Sequence, residues 1–413
     1  MSLAQELSAR GYIYQYSADS VEDIFDGPPR TVYLGIDPTA DSMHVGHLVP
    51  YMMLNHIMNH GHSVIALLGG GTALIGDPSF KDQERDIAEV DTIQKQCAGL
   101  EKNVRAITTS ENIQFVNNYD WLSQLSAIEF LRDVGKHFTV NTMVKKDSVA
   151  KRFATETGIS YTEFSYSLLQ SYDFYHLYQT YGCEVQIGGS DQWGNIIAGV
   201  DYVRRRTGAE VHGVTMQLIT DRATGKKFGK SEGNAVWLDP EKTSPFAFYQ
   251  FWFNTSDESV ADYLKLFTML TLAEIDEVVA AHTEDPAARH AQTVLARSVT
   301  SFIHGADTAQ RVERASQALF GTVLPSELAD EELAILKADA PMVTVTDGTV
   351  ITEALVAAGL ASSKREARTF VSDGAVMVDA DVVTDPATPI EKTNHEVRRI
   401  KRGKKRVSLL AVM

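Results

Sequence analysis

Two histidines and two lysines, far apart in the chain, are the side chains best suited to chemistry. His44 and His47 lie three residues apart in the sequence HVGH, and Lys227 and Lys230 lie three apart in KFGKS. Imidazole and ammonium groups both donate hydrogen bonds to phosphate oxygens. Because His44 and Lys227 are separated by 183 positions, two distant loops must meet over one ligand. The pattern predicts a site for a phosphorylated nucleotide, whereas an isolated HxGH also fits ordinary core or surface histidines.

A strand, a small-residue turn and a helix are predicted to position the histidines. Residues 31–36 form an apolar run typical of a buried strand, residues 37–41 form a turn, and a helix-like run continues to Asn59. The start of a helix favours anions because its N–H groups have no partner within the helix. Strand, glycine loop and helix recur after residues 63–68 and 184–187, although a plain flexible loop is the alternative for the glycines. This layout predicts a Rossmann-like, doubly wound α/β domain with a parallel sheet.

Length and charge indicate more than one domain. A chain of 413 residues exceeds a single hydrophobic core. Residues 349–413 carry 11 Lys and Arg against 8 Asp and Glu, whereas residues 1–348 carry 27 against 46. A basic module on an acidic body is typical of contact with RNA or a membrane surface. We predict a catalytic domain over residues 1–243, an α-helical domain over 244–322, a linker over 323–348, and a small α+β RNA-binding domain over 349–413.

Cysteine content and hydropathy argue against several protein classes. Cys97 and Cys183 are far apart and have no clustered histidines, which argues against a metal site and against a disulfide framework. No run approaches the roughly 20 apolar residues of a membrane span. Residues 1–11 lack the apolar core of a signal peptide. We therefore expect a cytoplasmic protein that contacts no membrane and binds no metal through its own side chains.

The motifs, in this order, resemble the HIGH and KMSKS signatures of the class I aminoacyl-tRNA synthetases, and they are most similar to those of the bacterial tyrosyl-tRNA synthetase family. The resemblance covers nearly the whole chain, including the terminal module, which is similar to an RNA-binding domain of a ribosomal protein. It implies that ATP, carrying Mg²⁺, activates L-tyrosine, that tyrosine then passes to the 3′ end of tRNA(Tyr), and that the protein is a homodimer. KFGKS departs from its signature, and we expect Gly229 to make this loop more flexible.

The resemblance assigns roles to residues that match the family motifs. It assigns tyrosine binding to Tyr33, Asp77, Tyr166, Gln170, Asp173 and Gln186, of which Tyr33 and Asp173 read the hydroxyl group. It assigns ATP binding to Gly35, Asp37, His44, Gly46, His47, Gly189, Asp191, Gln192 and Lys230. It assigns catalysis to His44, His47, Lys227, Lys230 and Ser231.

Further basic residues are candidates for phosphate and RNA contacts. Lys81 and Arg85 match pyrophosphate-side positions of the family, or form a plain surface pair. The run 204–206 is either a contact for the tRNA acceptor end or the charged end of a helix. In the terminal module, the predicted tRNA contacts are Lys364, Arg365, Arg368, Arg398, Arg399, Lys401 and Arg402.

Three other interpretations are open at this point. The tryptophanyl relatives share both signatures, but Tyr33, Asp173 and the terminal module favour tyrosine. A nucleotidyltransferase of the HxGH superfamily would have no need of the helical domain and the basic tail. An RNA-binding protein that has lost catalysis does not fit the intact HVGH and the two KFGKS lysines.

Overall fold

The chain forms two compact units, Met1–Asp239 with Ser256–Ala291 and Pro240–Thr255 with Gln292–Met413. Within the described residues, no helix is long and apolar enough to cross a membrane. For residues 230, 231 and 234 the structure describes the backbone alone. The structure is a computed structural model, and it describes residues 1–79, 89–145, 149–150, 158–219, 228–231, 234–393, 397–403 and 406–413.

Strands and helices are mixed in the first unit, whereas the second unit begins with helices and ends with strands. The strands are β1 (Gln15–Tyr16), β2 (Thr31–Ile36), β3 (Ser63–Leu68), β4 (Ile113–Asn117), β5 (Cys183–Gly189), β6 (His212–Met216), β7 (Lys230–Ser231), β8 (Asn234–Ala235), β9 (Met342–Val345), β10 (Thr349–Val350), β11 (Val376–Val378), β12 (Asp381–Val383), β13 (Pro389–Ile390), β14 (Val397–Arg402) and β15 (Arg406–Val412). The α-helices are α1 (Leu3–Arg10), α2 (Glu22–Phe25), α3 (Leu48–Asn59), α4 (Val90–Ala106), α5 (Tyr119–Leu122), α6 (Ala127–Glu129), α7 (Val140–Met143), α8 (Tyr161–Tyr181), α9 (Trp193–Thr207), α10 (Pro245–Phe253), α11 (Asp257–Phe267), α12 (Leu272–Glu284), α13 (His290–His304), α14 (Ala306–Phe320), α15 (Asp330–Asp339), α16 (Ile351–Ala357) and α17 (Lys364–Ser372).

A six-stranded sheet forms the centre of the first unit, in the order β1-β6-β5-β2-β3-β4. All its pairs are parallel except β1 with β6. From β2 the chain moves outward through β3 and β4, and it then returns to place β5 and β6 on the other side. The carboxyl ends of β2 and β5 therefore flank the point where the strand order reverses, which is where open α/β sheets bind ligands.

Helix α8 covers the sheet beside this point, and its ends are set by local sequence. Ser160 caps its start by accepting a hydrogen bond from the Glu163 N–H, and Gly182 ends it with a φ of 63°, a left-handed conformation that glycine adopts without strain. Phe174 and Leu177 pack into an apolar cluster that also contains Tyr33 of β2. The packing fixes the rotation of α8, and with it the direction of its polar residues.

The second unit contains a five-stranded sheet in the order β12-β11-β14-β15-β9. Its pairs are antiparallel except that of β15 with β9. Helices α16 and α17 supply Leu355 and Val371 to a core shared with Ile400 and Leu410 of the sheet. Helix α17 begins where the Ser363 hydroxyl accepts a hydrogen bond from the Glu366 N–H. A serine three residues before a glutamate is the sequence pattern that predicts such a cap.

The predicted fold class is confirmed, and several elements lie where the sequence placed them. The strands predicted at 31–36 and 63–68 are β2 and β3, and the helical pattern of residues 162–181 predicts α8 to within a residue. The sequence also indicates a strand over 215–219, which lies three residues earlier as β6, whereas β4 was not predicted. A helical pattern covers residues 127–138, but this segment is α-helical only in α6 and continues as a π-helix over Phe130–Val134.

The division of the chain differs from the predicted boundaries. Residues 256–291 pack with the first unit rather than with the helical segment predicted over 244–322. The predicted linker over 323–348 contains helix α15 and strand β9. Its content of Asp, Glu, Pro and Thr predicts a connector, but three of its acidic residues occupy the first turn of α15, where negative charge stabilises a helix.

Candidate active site

The HVGH motif forms a single turn of 3₁₀ helix, Val45–His47, between β2 and α3. The His44 ring accepts a hydrogen bond from the Gly46 N–H at 3.0 Å, and the His47 ring accepts one from the His44 N–H at 3.3 Å. The two rings stack with centroids 3.9 Å apart. Because Nδ1 is the acceptor in both rings, the proton of each neutral imidazole is on Nε2, the form that donates to a phosphate oxygen.

The base of the KFGKS loop is in contact with this turn. The Val45 N–H donates to the Val236 carbonyl at 2.9 Å, and the Val236 N–H donates to the Gly229 carbonyl at 3.1 Å. Gly229 has a φ of 83°, and a Cβ at this position would lie 2.8 Å from Val45 and 3.1 Å from the Gly46 nitrogen. Gly229, predicted to add flexibility, is required here for the close approach of the two motifs.

Some predicted phosphate-side residues cannot be placed. Lys81, Arg85 and Lys227 lie outside the described residues. The backbone of Lys230 and Ser231 is described as strand β7, which pairs with β8 in a short hairpin. Their roles therefore stay predictions.

A cavity of about 680 Å³ opens at the carboxyl ends of β2 and β5. Every residue predicted to bind tyrosine or ATP, apart from Lys230, lines this cavity. Phe228 of the KFGKS loop also lines it, so both motifs border the same space. The predicted residues in its wall are Tyr33, Gly35, Asp37, His44, Gly46, His47, Asp77, Tyr166, Gln170, Asp173, Gln186, Gly189, Asp191 and Gln192.

One part of the cavity wall combines a buried phenol with a buried carboxylate. Tyr33 is 1% exposed, and its hydroxyl has no hydrogen-bond partner among the described residues. Asp173 is 2% exposed and accepts hydrogen bonds from Asn118 Nδ2 at 2.9 Å and Trp121 Nε1 at 2.7 Å. Burial raises the pKa of Asp173 to about 7 despite these two donors, and burial together with the nearby Asp173 raises the pKa of Tyr33.

A second part of the wall is rich in oxygen acceptors. The Tyr166 hydroxyl donates to Asp37 Oδ2 at 2.8 Å, and the Gln192 side chain donates to Asp77 Oδ2 at 2.7 Å. The Oε1 atoms of Gln170 and Gln186 are buried without a partner in the described part of the chain. Carboxylate, phenol and amide oxygens are groups that can receive the three N–H bonds of an ammonium ion.

Asn118 and Trp121 hold Asp173 but were not predicted. Asn118 Nδ2 also donates to Thr72 Oγ1 at 2.9 Å, and its Oδ1 accepts from the Gly71 N–H at 2.7 Å, so it joins the glycine loop after β3 to Asp173. Asn118 directly follows β4, and Trp121 lies four residues after the strand, in α5. A parallel strand at 113–117 would have indicated that the polar residues after it lie at the ligand-binding edge of the sheet.

Comparison with known proteins decides the family. Residues 26–321 match the family described as tRNA synthetases class I (W and Y), and residues 332–410 match the tyrosine–tRNA ligase SYY-like C-terminal domain. A C-terminally truncated mitochondrial tyrosyl-tRNA synthetase of Aspergillus nidulans is 31% identical, covering 76% of this chain and 93% of that chain, with a TM-score of 0.70. The chain belongs to the tyrosyl-tRNA synthetases of class I.

As a tyrosyl-tRNA synthetase, the protein is a tyrosine–tRNA ligase that uses ATP. The matching enzyme of Coccidioides posadasii is 29% identical over 76% of this chain and 91% of that chain, with a TM-score of 0.67. A tryptophanyl-tRNA synthetase of Encephalitozoon cuniculi shares the fold alone, at 12% identity over 81% of this chain and 94% of that chain and a TM-score of 0.55. Membership of the bacterial subgroup stays a prediction.

The basic residues of the synthetase's terminal module divide into exposed and engaged groups. Arg365 and Arg368 are exposed on α17. Lys364 pairs with Glu353 at 2.6 Å, and the Arg402 guanidinium lies 4.4 Å from the Phe370 ring centroid. These positions leave the predicted tRNA contacts at Arg365 and Arg368 sterically possible.

Arg399 requires a correction. It is 3% exposed, and its guanidinium donates to the carbonyls of Ala318, Gly321 and Val323 at 2.8, 2.9 and 3.0 Å. Neighbouring residues of a strand face opposite sides of the sheet, so Arg398 and Arg399 of β14 cannot both face an RNA. Arg399 instead binds the carbonyl end of α14, as does Lys401 through the Phe320 carbonyl at 3.0 Å.

Proposed function

We propose that the cavity holds L-tyrosine and ATP together and forms tyrosyl-adenylate there. The observation that carries this proposal is the unpartnered, buried Tyr33 hydroxyl close to the Asp173 carboxylate. A phenol bound between them accepts a hydrogen bond from Tyr33 and donates one to Asp173. An amino acid without that hydroxyl leaves both buried groups without a hydrogen bond. Its binding free energy is then less favourable by about 1–3 kcal/mol for each neutral group, and by more for a charged group.

In the proposed complex, the α-ammonium group of tyrosine is bound by Asp77, Tyr166 and Gln170. The tyrosine carboxylate then attacks the α-phosphorus of ATP, the bond to the bridging oxygen breaks, and pyrophosphate leaves. The nucleophile is already ionised, so the reaction needs no general base. The protein contributes position and stabilisation of phosphate charge.

We assign the phosphate and ribose side of the site to the two motifs and to the glycine loop after β5, residues 188–192, whose sequence is GGSDQ. His44 and His47 donate through Nε2 to ATP oxygens, and Lys227 and Lys230, with Ser231, stabilise the pyrophosphate-side charge. Mg²⁺ enters with the triphosphate. Lys81 and Arg85 are further candidates for the pyrophosphate side, and Gly35, Asp37, Gly46, Gly189, Asp191 and Gln192 for the remaining ATP contacts, with Gln186 beside the tyrosine carboxylate.

Transfer to tRNA(Tyr) is proposed to use the terminal module, with Arg365 and Arg368 on its exposed helix.

We also propose that the enzyme is a homodimer in the cytoplasm. The large apolar side chains of Ile128, Leu131 and Val140 are 54–75% exposed, which supports burial of this segment against a second copy. Sedimentation of the purified protein tests the dimer.

Exchange of radioactive pyrophosphate into ATP tests the proposed adenylate chemistry. We expect exchange with tyrosine, and none above background with tryptophan. Phenylalanine should support at least a hundredfold less, because it leaves the Tyr33 and Asp173 groups unpaired. Exchange with tryptophan but not tyrosine would contradict the specificity, and no exchange with any amino acid would contradict the site.

A further inference from the structure

Helix α3 carries a second buried phenol whose hydroxyl has no partner. Tyr51 lies four residues after His47 on this helix, which places the two side chains on one face. Tyr51 is 3% exposed and lines the same cavity, beside Val49 and Pro50 of its own helix turn. Tyr51 is not among the residues that bind tyrosine or ATP in the proposed complex.

The missing partner is unusual for a buried tyrosine of this protein. The Tyr12 hydroxyl donates to the Leu266 carbonyl at 2.9 Å, and the Tyr202 hydroxyl donates to the Asp133 carbonyl at 3.1 Å. Among the described residues, Tyr33 and Tyr51 are the only tyrosines whose buried hydroxyls have no partner, and both line the cavity. A buried hydroxyl that makes no hydrogen bond destabilises the folded protein, so its retention indicates a partner that arrives with a ligand.

We propose that the Tyr51 hydroxyl binds the adenosine part of ATP. The inference rests on the proposed function, which places ATP against His47 one helix turn away. A phenol hydroxyl can donate to a ribose or ring acceptor and can accept from a ribose hydroxyl or the exocyclic amine of adenine. The Tyr51 hydroxyl is protonated at neutral pH and can therefore donate, and burial raises its pKa further.

The variant Tyr51→Phe tests the proposal because it removes the hydroxyl and keeps the ring. We expect KM for ATP to rise roughly three- to tenfold in pyrophosphate exchange, the effect of one neutral hydrogen bond, while KM for tyrosine changes less than about twofold. The ligand-free variant should have an unchanged or higher Tm. The matched control Tyr12→Phe loses a hydrogen bond within the protein, so it should lower Tm and leave KM for ATP unchanged.

Two ATP analogues identify the group that is bound. If the hydroxyl contacts the ribose, Tyr51→Phe loses the wild-type preference for ATP over 2′-deoxyATP. If it contacts the base edge, the variant loses the preference for ATP over inosine triphosphate. An unchanged KM for ATP, an equal rise in KM for tyrosine, or a fall in Tm like that of the Tyr12 control would overturn the proposal. Absence of tyrosine-dependent exchange in the wild type would instead contradict the proposed function.

Discussion

At the scale of single residues, Asp173 shows how a buried carboxylate is kept able to accept a hydrogen bond. Burial favours its protonated form, while the N–H groups of Asn118 and Trp121 favour the anion. With the pKa at about 7, the carboxylate is close to half ionised at neutral pH. The ionised form accepts on both oxygens, from the two donors and from the phenol of the substrate, whereas protonation turns one oxygen into a donor.

This balance predicts the pH dependence of tyrosine use. Below a pH of about 7 the Asp173 carboxyl is protonated, so kcat/KM for tyrosine should fall, approaching tenfold for each pH unit. Trp121→Phe removes a donor that favours the anion. The break in the profile, the pH below which kcat/KM for tyrosine falls, should therefore move to higher pH by about one pH unit.

His176 provides the control, because it is a titratable group that stacks on Trp121 with ring centroids 4.3 Å apart, although burial lowers the pKa of His176 below its ordinary value. His176→Phe keeps a flat ring in place and should leave the break at about 7. A break that disappears in His176→Phe, or does not move in Trp121→Phe, would show that another group sets the profile.

At the scale of elements, the contact between the KFGKS loop and the HVGH turn depends on backbone shape at Gly229. Gly229→Ala would strain a left-handed residue and would also place a methyl group 2.8 Å from Val45. We expect the loop to move off the turn, with kcat for exchange falling at least tenfold and KM for tyrosine little changed. Steady-state exchange kinetics measure both.

Gly208 supplies the matched control. Its φ of 75° gives alanine a similar strain, but a Cβ there meets nothing within 4 Å. Gly208→Ala should lower stability by about 1 kcal/mol and leave kcat unchanged. If the two variants lower kcat equally, the loss comes from general destabilisation and not from the contact between the motifs.

The same scale shows what the sequence could predict. Gln170 and Asp173 lie four and seven residues after Tyr166, a spacing that predicts one polar face of a helix, and all three residues line the cavity. Asn118 and Trp121 were missed because the five-residue strand before them has weak apolar periodicity. Tyr51 was missed because its aromatic ring fits the apolar pattern of α3, and only its surroundings reveal an unpaired hydroxyl.

At the scale of the whole molecule, the part of the chain proposed to bind tRNA and the part proposed to form the adenylate differ in net charge. Residues 349–413 have a net charge of +3, and the remainder has a net charge of −19. An RNA polyanion is therefore expected to meet the terminal module, and this contact should weaken with salt because bound counterions are released. Adenylate formation needs no RNA, so it should not depend on the contact between the RNA and the terminal module.

The double variant Arg365→Glu with Arg368→Glu tests this separation. Both side chains are exposed, so the fold should tolerate the change. We expect tRNA charging to fall at least tenfold and the salt dependence of tRNA binding to become less steep, while pyrophosphate exchange stays unchanged. Arg311→Glu is the control, since Arg311 is also exposed in the second unit and pairs with Glu331. Equal losses of tRNA charging in the double variant and in Arg311→Glu would mean that the net charge of the protein, and not the position of these arginines, determines tRNA binding.

Strand β9 has a consequence for dissecting the chain. It precedes the basic module in sequence, yet it forms the parallel edge of that module's sheet beside β15. A protein that starts at residue 349 would expose the open hydrogen-bonding groups of β15 to any extended peptide nearby. The shortest autonomous tail must therefore begin before Met342, and shorter fragments are expected to self-associate rather than remain monomeric.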